Sequence, residues 1–231
     1  MKLLFEPLAP ILAPTSSGED FPVRRVFCVG RNYAAHAREM GFDPDREPPF
    51  FFTVWAETVV PLGGPVPYPP ATSNYHFEAE LVLAIGKGGR NIAAADALGH
   101  VWGYAAGLDM TRRDLQAEAR KMGRPWDTGK NFEHCSPLGR IRKADDSFRP
   151  DRGEIRLTVN GEVKQAADLA DMIWPATDII QFLSGLYRLE PGDLIYTGTP
   201  EGVGPVVVGD RVEVNIAELD PLAIAITASE G

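Results

Sequence analysis

Two glutamates lie two residues apart in the stretch YHFEAELVLAIG, which runs from Tyr75 to Gly86. The run is rich in Val, Leu and Ile and closes on glycine, which predicts a β-strand. Side chains alternate along a strand, so Glu78 and Glu80 are expected on one face, which becomes apolar farther along. Neighbouring carboxylates repel each other unless water or a cation separates them. The pair therefore indicates either a solvated strand face or one side of a metal site.

A third acid, Asp109, ends the apolar stretch HVWGYAAGLDM, which we also predict to be a buried strand. If the ends of the two strands meet, three carboxylates converge at one place. Carboxylate oxygens suit a hard divalent cation such as Mg²⁺ or Mn²⁺ and leave coordination positions open for a substrate. The spacing thus predicts Glu78, Glu80 and Asp109 as candidate ligands of such a cation.

A histidine and a glutamate lie three residues apart in NYAAHAREMG, a predicted short helix with Asn32 as N-cap and Gly41 as C′ residue. This spacing puts His36 and Glu39 on one helix face. They are either an exposed surface pair or a general base oriented by a carboxylate. The helix has few apolar anchors, and the Pro-rich loop FDPDREPPF follows it. We therefore predict a lid that is mobile alone and closes over a substrate.

Four further polar residues occupy places from which they could contact a small molecule. Arg113 and Gln116 share a face of the helix predicted in TRRDLQAEARKMG. Lys130 lies in the turn WDTGKNF, and Thr199 lies in TGTPEGVG, where glycines allow the backbone to approach a ligand closely. Each of the four could equally be an ordinary surface or turn residue.

The rest of the pattern contains more strands than helices, without regular alternation of the two. VRRVFCVG is typical of a strand, ATDIIQFLSGLYRL of an amphipathic helix, and IRLTVNGEVKQ of a hairpin with Asn160-Gly161 as its type I′ turn. In TRRDLQAEARKMG, Thr111 and Asp114 predict a capping box, and Gly123 is expected to end the helix. These elements predict an α+β fold with a curled mixed sheet rather than a doubly wound sheet.

The length of 231 residues is enough for one sizeable core. We predict an N-terminal arm over residues 1–22 and a single domain over residues 23–231. The formal net charge of −9 disfavours a nucleic-acid partner, because binding to phosphates depends on clustered Lys and Arg. Cys28 and Cys135 lack metal-finger spacing and are expected to be reduced thiols. With no apolar run of membrane-spanning length and a poor signal peptide, we predict a cytoplasmic protein without a membrane partner.

Five ordered stretches resemble the motifs of the fumarylacetoacetate hydrolase family, over a region from about Val26 to the C-terminus. They are VGRNYAAHAREMG, HFEAEL, GLDMTRRDLQ, MGRPWDTGK and GDLIYTGTPEGVG. Within the family, the chain is most similar to the fumarylpyruvate hydrolases and related acylpyruvases, through DPDREPPFFFT and GRPWDTGK. The resemblance implies a mixed β-roll with a few short helices, a Mg²⁺ or Mn²⁺ cofactor, and a homodimer.

The resemblance also implies a role for each candidate residue, because each occupies a motif position to which the family assigns a function. The implied sets are the metal ligands Glu78, Glu80 and Asp109, the catalytic residues His36, Glu39 and Lys130, and the substrate contacts Arg113, Gln116 and Thr199.

The implied reaction is hydrolysis of a carbon–carbon bond in a 2,4-dioxo acid, with fumarylpyruvate, which would give fumarate and pyruvate, as the first candidate. His36, held by Glu39, would activate water for attack on the 4-carbonyl, and pyruvate would leave as its enolate. Lys130 would stabilise the oxyanion. Two alternatives stay open: decarboxylation or tautomerisation of oxaloacetate on the same fold, and a non-catalytic protein that binds metal and dicarboxylates.

The chain departs from the family pattern directly after its aromatic run. The pattern predicts Lys-Pro, whereas this chain reads FFFTVWAE, with Val54 and Trp55. If position 54 faces the substrate, the missing lysine removes an attraction for a second carboxylate. Trp55 would then add an apolar wall to the pocket. For a tryptophan beside three phenylalanines, however, we favour a place in the core.

Overall fold

The protein is built mainly from short strands, as its sequence pattern predicts. The computed structural model describes residues 3–39, 48–145 and 147–229. In chain order the strands are β1 (Leu12–Pro14), β2 (Asp20–Pro22), β3 (Arg25–Val29), β4 (Phe51–Val54), β5 (Val59–Pro61), β6 (Gly64–Pro67), β7 (Tyr75–Phe77), β8 (Ala79–Ile85), β9 (Val101–Leu108), β10 (Thr111–Arg112), β11 (Ser136–Leu138), β12 (Arg142–Lys143), β13 (Glu154–Val159), β14 (Glu162–Asp168), β15 (Asp193–Tyr196), β16 (Gly204–Pro205), β17 (Arg211–Ile216) and β18 (Leu222–Thr227).

The helices are few and short. They are α1 (Ala34–Glu39), α2 (Arg113–Met122), α3 (Asp127–Lys130) and α4 (Ala176–Leu186), and 3₁₀ turns span Ala56–Thr58, Ala94–His100 and Leu169–Asp171. None of the helices within the described ranges is long and apolar enough to cross a membrane.

The strands form one large sheet and three smaller ones. The large sheet runs in the order β4-β3-β15-β8-β9-β11-β5, and β12 pairs with β9. A second sheet runs in the order β14-β13-β17-β18-β6, while β10-β7-β16 and β1-β2 form short ribbons. The pairs β15·β3, β11·β5 and β18·β6 are parallel, and pairs such as β8·β9 and β13·β14 are antiparallel. Mixed pairing with few helices confirms the predicted α+β class.

The strand β8 lies in the middle of the large sheet and carries much of its core. Leu81, Leu83 and Ile85 are fully buried on one face, and Val82 and Ala84 are buried on the other. Burying an aliphatic side chain of this size stabilises the fold by about 1.5–3 kcal/mol. A strand covered on both faces is apolar along its whole length. Exposure to water therefore does not explain why two glutamates occur at the start of this strand.

The stretch predicted as a single strand from Tyr75 to Gly86 is in fact two strands. β7 ends at Phe77 and β8 begins at Ala79, so Glu78 lies at the junction. β7 pairs with β10 and β16, whereas β8 pairs with β9 and β15. The chain thus passes from one sheet to another at the residue that carries the first acid.

Other local predictions are confirmed. Asn160 and Gly161 have φ angles of 53° and 83°, as a type I′ turn between β13 and β14 requires. The amphipathic helix predicted near the C-terminal third is α4, which buries its apolar face. Gly123 ends α2 in the left-handed conformation, with a φ of 63°.

The predicted N-cap of α1 is wrong. Asn32 lies two residues before the helix, and its side chain is bonded elsewhere. Its amide donates to the carbonyl oxygens of Trp174 and Thr197, and its Oδ1 accepts from the Trp174 amide. Asn32 therefore ties the start of α1 to two distant loops. Gly41, predicted to end the helix, lies outside the described residues, as does the loop over residues 42–47.

The predicted capping box of α2 is also wrong. Thr111 lies in β10 and donates to the carbonyl oxygen of Asp109, and the helix begins without a side-chain cap. Asp114 instead accepts from the Thr72 hydroxyl and the Ser73 amide. The start of α2 is thus held by its neighbours in the fold, because a strand leads directly into it.

The N-terminal segment contains a small hairpin. β1 and β2 pair antiparallel, with Ala13 opposite Phe21, and both of these side chains are buried. The Ser16 amide donates to the Ile141 carbonyl oxygen at 2.9 Å, which joins the hairpin to the rest of the chain.

Candidate active site

Three carboxylates meet at one end of the central strands. In the antiparallel β8·β9 pair, Glu80 lies opposite Gly107. Glu78 directly precedes β8 and Asp109 directly follows β9, so both acids lie at the same end of the pair. The Asp109 amide donates to the Glu78 carbonyl oxygen at 2.9 Å, which fixes this junction. One oxygen from each of the three side chains lies within 4.8 Å of the others, and all three residues are buried.

Two cations contact the same carboxylates. Lys130 Nζ donates to Glu78 Oε2 and to Asp109 Oδ2, at 2.6 Å in each case. Arg113 donates from Nη2 to Glu78 Oε1 and from Nη1 to Gln116 Oε1, the second at 2.6 Å. Lys130 is buried in α3, and Arg113 opens α2. Removing one partner from a buried ion pair typically costs about 3–5 kcal/mol, because the other charge is left uncompensated.

These contacts give two of the carboxylates different acidities. Burial opposes ionisation of Glu78, but the positive charges of Lys130 and Arg113 outweigh it and lower its pKa to about 2. Burial raises the pKa of Asp109 to about 6, since the negative charge of Glu78 offsets part of the attraction to Lys130. Burial alone would lower the pKa of Lys130, but the Asp109 and Glu78 carboxylates raise it, so Lys130 is an ammonium at neutral pH.

Glu80 is the acid that is hardest to ionise. Burial, together with the negative charges of Asp109 and Glu78, raises its pKa well above its usual range. Its Oε2 accepts a 2.7 Å hydrogen bond from the Gly198 amide. Gly198 has a φ of 95°, and a Cβ there would lie 2.6 Å from the Asn32 Cβ, so a glycine is required. A bound cation would supply the positive charge that the Glu80 carboxylate needs.

The histidine and glutamate of α1 are in contact, as their spacing predicts. His36 Nδ1 lies 3.2 Å from Glu39 Oε2, and the Gly202 amide donates to the same oxygen at 3.4 Å. The His36 side chain is buried, whereas that of Glu39 is 40% exposed. His36 is therefore not half of an exposed surface pair, and its side chain lines a cavity.

A cavity of about 450 Å³, including its open mouth, brings the candidates together. All of the predicted site residues except Glu39 line it, and Glu39 reaches it through His36. The cavity is also lined by residues that sequence reasoning missed, namely Val29, Gly30, Arg31, Phe52, Arg120 and Trp126. The sequence could have indicated Arg120, since it lies two helical turns after Arg113 and one turn after Gln116, on the same face of the helix.

Thr199 is held in place by a buried glutamine that the sequence did not single out. Gln165 Nε2 donates to Thr199 Oγ1 at 2.9 Å and to the Pro200 carbonyl oxygen at 2.8 Å. Gln165 Oε1 accepts from the Ala79 amide at 3.0 Å, which links the loop to the start of β8. Thr199 thus stands at the cavity wall on a loop with fixed backbone positions.

Arg113 is likewise oriented by a neighbour. His76 Nε2 lies 2.8 Å from Asn74 Oδ1, which leaves Nδ1 to accept from Arg113 Nε at 3.4 Å. Burial and the positive charge of Arg113 lower the pKa of His76 to about 4, so the imidazole is neutral and able to accept. His76, the histidine of the HFEAEL stretch, therefore supports the arginine that contacts Glu78.

One wall of the cavity is aromatic. The Trp126 ring packs edge-on against Phe50 and Phe52, with ring centroids 5.4 and 5.9 Å apart. The Phe50 ring lies directly over Gly30, where a Cβ would be 1.9 Å from the ring, so a larger residue at this position would displace the ring. The Arg31 guanidinium lies 4.9 Å from the centroid of the Phe50 ring, a cation–π distance.

Positions 54 and 55 do not have the roles considered for them. Val54 is buried in β4 opposite Val26 and is not among the residues that line the cavity. Trp55 is 58% exposed, so the prediction that it lies in the core is wrong. Its backbone amide donates to Asn131 Oδ1 at 2.9 Å. The chain leaves the sheet at this point into a 3₁₀ turn, which carries the ring outward.

We therefore expect Val54→Lys to lower stability rather than to alter the site. Placing an ammonium in this buried position should reduce the free energy of unfolding by roughly 2–3 kcal/mol, because the charge loses its hydration. Thr53→Lys is the matched control on the exposed side of the same strand, where a change of less than about 0.5 kcal/mol is expected. Urea unfolding measures both variants. Equal stability of the two would show that position 54 has access to solvent or to the cavity.

The acidic cluster has the donor chemistry of a divalent-metal site. Its three side chains offer only oxygen atoms, which hard cations prefer, and they are too close together and too buried to be ionised at once without compensating charge. Lys130 and Arg113 compensate Glu78 and Asp109, whereas Glu80 accepts a hydrogen bond from the Gly198 backbone amide, which carries no full charge. Glu78, Glu80 and Asp109 therefore fit a divalent cation.

Comparison with known proteins agrees with this geometry. The family described as fumarylacetoacetate (FAA) hydrolase C-terminal matches residues 25–227. A fumarylpyruvate hydrolase from Ralstonia sp is 48% identical over 188 residues, which cover 81% of this chain and 97% of that protein. An oxaloacetate tautomerase, FAHD1, from Arabidopsis thaliana is 38% identical over 195 residues, covering 84% and 87%.

A solved structure is similar over nearly the whole chain. The crystal structure of fumarylpyruvate hydrolase from Pseudomonas aeruginosa in complex with Mn²⁺ and pyruvate superposes with a TM-score of 0.96 at 50% identity, covering 99% of this chain and 100% of that one. The predicted resemblance and the mixed β-fold are thus confirmed. The chain belongs to the fumarylacetoacetate hydrolase family and is a homologue of the fumarylpyruvate hydrolases.

Proposed function

We propose that the protein is a metal-dependent hydrolase of acylpyruvates that cleaves a carbon–carbon bond in a 2,4-dioxo acid, with fumarylpyruvate as the substrate and fumarate and pyruvate as products. One observation carries the proposal. A buried histidine held by a carboxylate and a triad of buried carboxylates line the same cavity, in a chain 48% identical to a fumarylpyruvate hydrolase.

Glu78, Glu80 and Asp109 would hold the cation, either Mg²⁺ or Mn²⁺. When bound, the cation supplies Lewis-acid stabilisation of the negative charge that grows on the 2-oxo oxygen as pyruvate leaves as an enolate. Support for a divalent ion comes from the donor set and from the Mn²⁺ and pyruvate in the similar crystal structure.

His36 would act as the general base. Glu39 accepts from Nδ1–H, so the imidazole is held in the tautomer whose Nε2 carries a lone pair. Nε2 would take a proton from water, and the resulting hydroxide would attack the 4-carbonyl carbon of the substrate. The bond between C3 and C4 would then break, with C4 becoming the carboxyl carbon of the released acid and the electron pair passing to the pyruvate enolate. The proton taken up by His36 would then pass to C3 of the enolate, which completes pyruvate and returns the imidazole to its neutral form.

The remaining polar residues would orient the substrate. Lys130 is an ammonium beside the carboxylate triad and would stabilise the oxyanion formed at C4. Arg113 and Gln116 present N–H groups from one face of α2, and Thr199 presents a hydroxyl from the opposite loop. Together they would fix the carboxylate end of a 2-oxo acid.

A second function is supported by the 38% identical oxaloacetate tautomerase. Oxaloacetate is also a 2-oxo acid whose enol or enolate the same residues would stabilise, so tautomerisation or decarboxylation would use the same cavity. A non-catalytic metal and dicarboxylate binder is disfavoured, because the dyad and the triad are both present and assembled.

The test compares three substrates on one protein preparation. With Mg²⁺ or Mn²⁺ added, the ultraviolet absorbance of fumarylpyruvate, acetylpyruvate and oxaloacetate is followed over time. The proposal expects the highest kcat/KM with fumarylpyruvate and loss of activity with a chelator. Turnover of oxaloacetate alone would establish the second function, and binding without turnover of any of the three would establish the non-catalytic alternative.

We also propose that the protein is a homodimer, as the family resemblance implies, and that it acts in the cytoplasm. Size-exclusion chromatography with light scattering distinguishes a dimer from the 25.2 kDa chain. Fractionation of the source cells tests the compartment.

A further inference from the structure

We infer that Arg120, together with Arg31, binds a second carboxylate at the acyl end of the substrate, which makes dicarboxylic acylpyruvates the preferred class. This inference rests on the proposed function, because it assumes that the 2-oxo acid end of the substrate lies at the carboxylate triad. The family pattern suggested a lysine at position 54 for attracting a second carboxylate. Because Val54 does not line the cavity, we assign this role to the two arginines instead.

The first support is the direction of α2. Arg113, Gln116 and Arg120 occupy positions i, i+3 and i+7 of this helix, and all three line the cavity. Residues at this spacing lie on one helix face, so the face runs outward from the carboxylate triad. Arg113 contacts Glu78 at the inner end, and Arg120 is exposed at the outer end.

The second support is length. Seven residues of helix rise by about 10 Å between Arg113 and Arg120. Fumarylpyruvate has seven carbons in a row, and six carbon–carbon bonds of about 1.5 Å span roughly 7–8 Å between its two carboxyl carbons when extended. The difference between this helix rise and the length of the substrate is smaller than the reach of an arginine side chain. A substrate whose inner carboxylate lies near Arg113 would therefore present its outer carboxylate near Arg120.

The third support is the lining between these two ends. Phe52 and Trp126 form an apolar wall that suits a flat, conjugated acyl chain. Arg31 follows β3, and its guanidinium lies 4.9 Å from the Phe50 ring centroid. Arg31 and Arg120 both line the cavity, so two guanidinium groups lie in the part of its wall that is not formed by the triad and its two bonded cations, Lys130 and Arg113. Arginine suits carboxylate recognition because its planar fork can bond both oxygens.

The test uses two ligands that cannot be cleaved because they lack a 4-oxo group. 2-Oxoheptanedioate has seven carbons and a second carboxylate, and 2-oxoheptanoate has the same length without it. Calorimetry on the Mn²⁺-loaded protein measures the ratio of their dissociation constants. The variants are Arg120→Met and Arg31→Met, with Lys121→Met as the matched control, because it removes one positive charge from the next position of the same helix.

We expect the preference for 2-oxoheptanedioate to fall roughly tenfold in Arg120→Met and in Arg31→Met, the size expected for a lost charge-assisted contact at a partly exposed site. Lys121→Met should keep the preference, and Arg120→Lys should recover part of it. The preference of the unaltered protein should also decrease as ionic strength rises. The ratio of kcat/KM for fumarylpyruvate over acetylpyruvate should change in parallel.

Two failures are distinguishable. If Arg120→Met keeps the same ligand preference as Lys121→Met, or if it weakens the binding of both ligands equally, Arg120 does not bind the second carboxylate and the inference is overturned. If instead the unaltered protein cleaves neither fumarylpyruvate nor acetylpyruvate, the proposed function fails, while the measured binding ratios still decide the role of Arg120.

Discussion

His36→Ala is expected to reduce kcat on fumarylpyruvate by roughly 10²–10⁴-fold, the range typical for loss of a general base. The imidazole is buried, oriented by Glu39 and placed on the cavity wall, so no neighbouring side chain of the described site substitutes for it. Stopped-flow or steady-state absorbance measures the effect. The affinity for Mn²⁺ should change little, because His36 is not one of the clustered carboxylate residues.

The control is His100→Ala, which alters a histidine bonded to the Lys87 carbonyl oxygen, away from the cavity. Its kcat should stay close to that of the unaltered protein. Near-native turnover in His36→Ala would remove this residue from the mechanism, whereas a parallel loss of Mn²⁺ binding would make it a metal ligand.

Glu80→Gln is expected to weaken Mg²⁺ or Mn²⁺ binding by well over tenfold, because each carboxylate supplies a full charge and a ligand bond. The glutamine keeps the shape of the side chain, and its carbonyl oxygen can still accept from the Gly198 amide. Calorimetric titration of the metal measures the loss. Glu118→Gln, an exposed acid on α2, is the control and should leave the affinity unchanged.

Glu80→Gln should weaken metal binding but should make the metal-free protein more stable, by an amount that depends on pH. Burial and two neighbouring carboxylates raise the pKa of Glu80 in the folded protein, so above the ordinary range of a glutamate the folded state binds more protons than the unfolded one. This group therefore makes the chelated protein less stable as pH rises. Glu80→Gln removes that effect, so its melting temperature in a chelator should exceed that of the unaltered protein at pH 8 more than at pH 5. Weaker metal binding with an equal loss of stability at both pH values would indicate general damage instead.

The fold class could be predicted because the relevant signals are local. Alternation of apolar residues identifies strands, and the Asn160-Gly161 turn requires positive φ at both positions, which few residue pairs tolerate. The helix caps failed for a different reason. Asn32 and Asp114 have side chains suited to capping, but residues distant in sequence compete for the same hydrogen bonds. Tertiary contacts of this kind leave no trace in a short sequence window.

The site was partly predictable for a similar reason. The spacing of Glu78 and Glu80 and the strand before Asp109 are visible in sequence, and strand pairing brings them together. The aromatic wall was not predictable, because Phe52 and Trp126 come from separate elements and meet only in the fold. The role considered for position 54 was wrong, because the sequence shows a departure from the family motif there but not the direction in which the side chain points.

The most direct test of the central claim is a measurement of products. The Mn²⁺-loaded protein is incubated with fumarylpyruvate, and fumarate and pyruvate are quantified by chromatography, beside a chelated sample and the Glu80→Gln variant. The account predicts one fumarate and one pyruvate for each substrate consumed with metal, and neither product at a comparable rate in the two controls. Substrate loss without fumarate, or equal product formation in the chelated sample, would contradict metal-dependent cleavage of the carbon–carbon bond at this site.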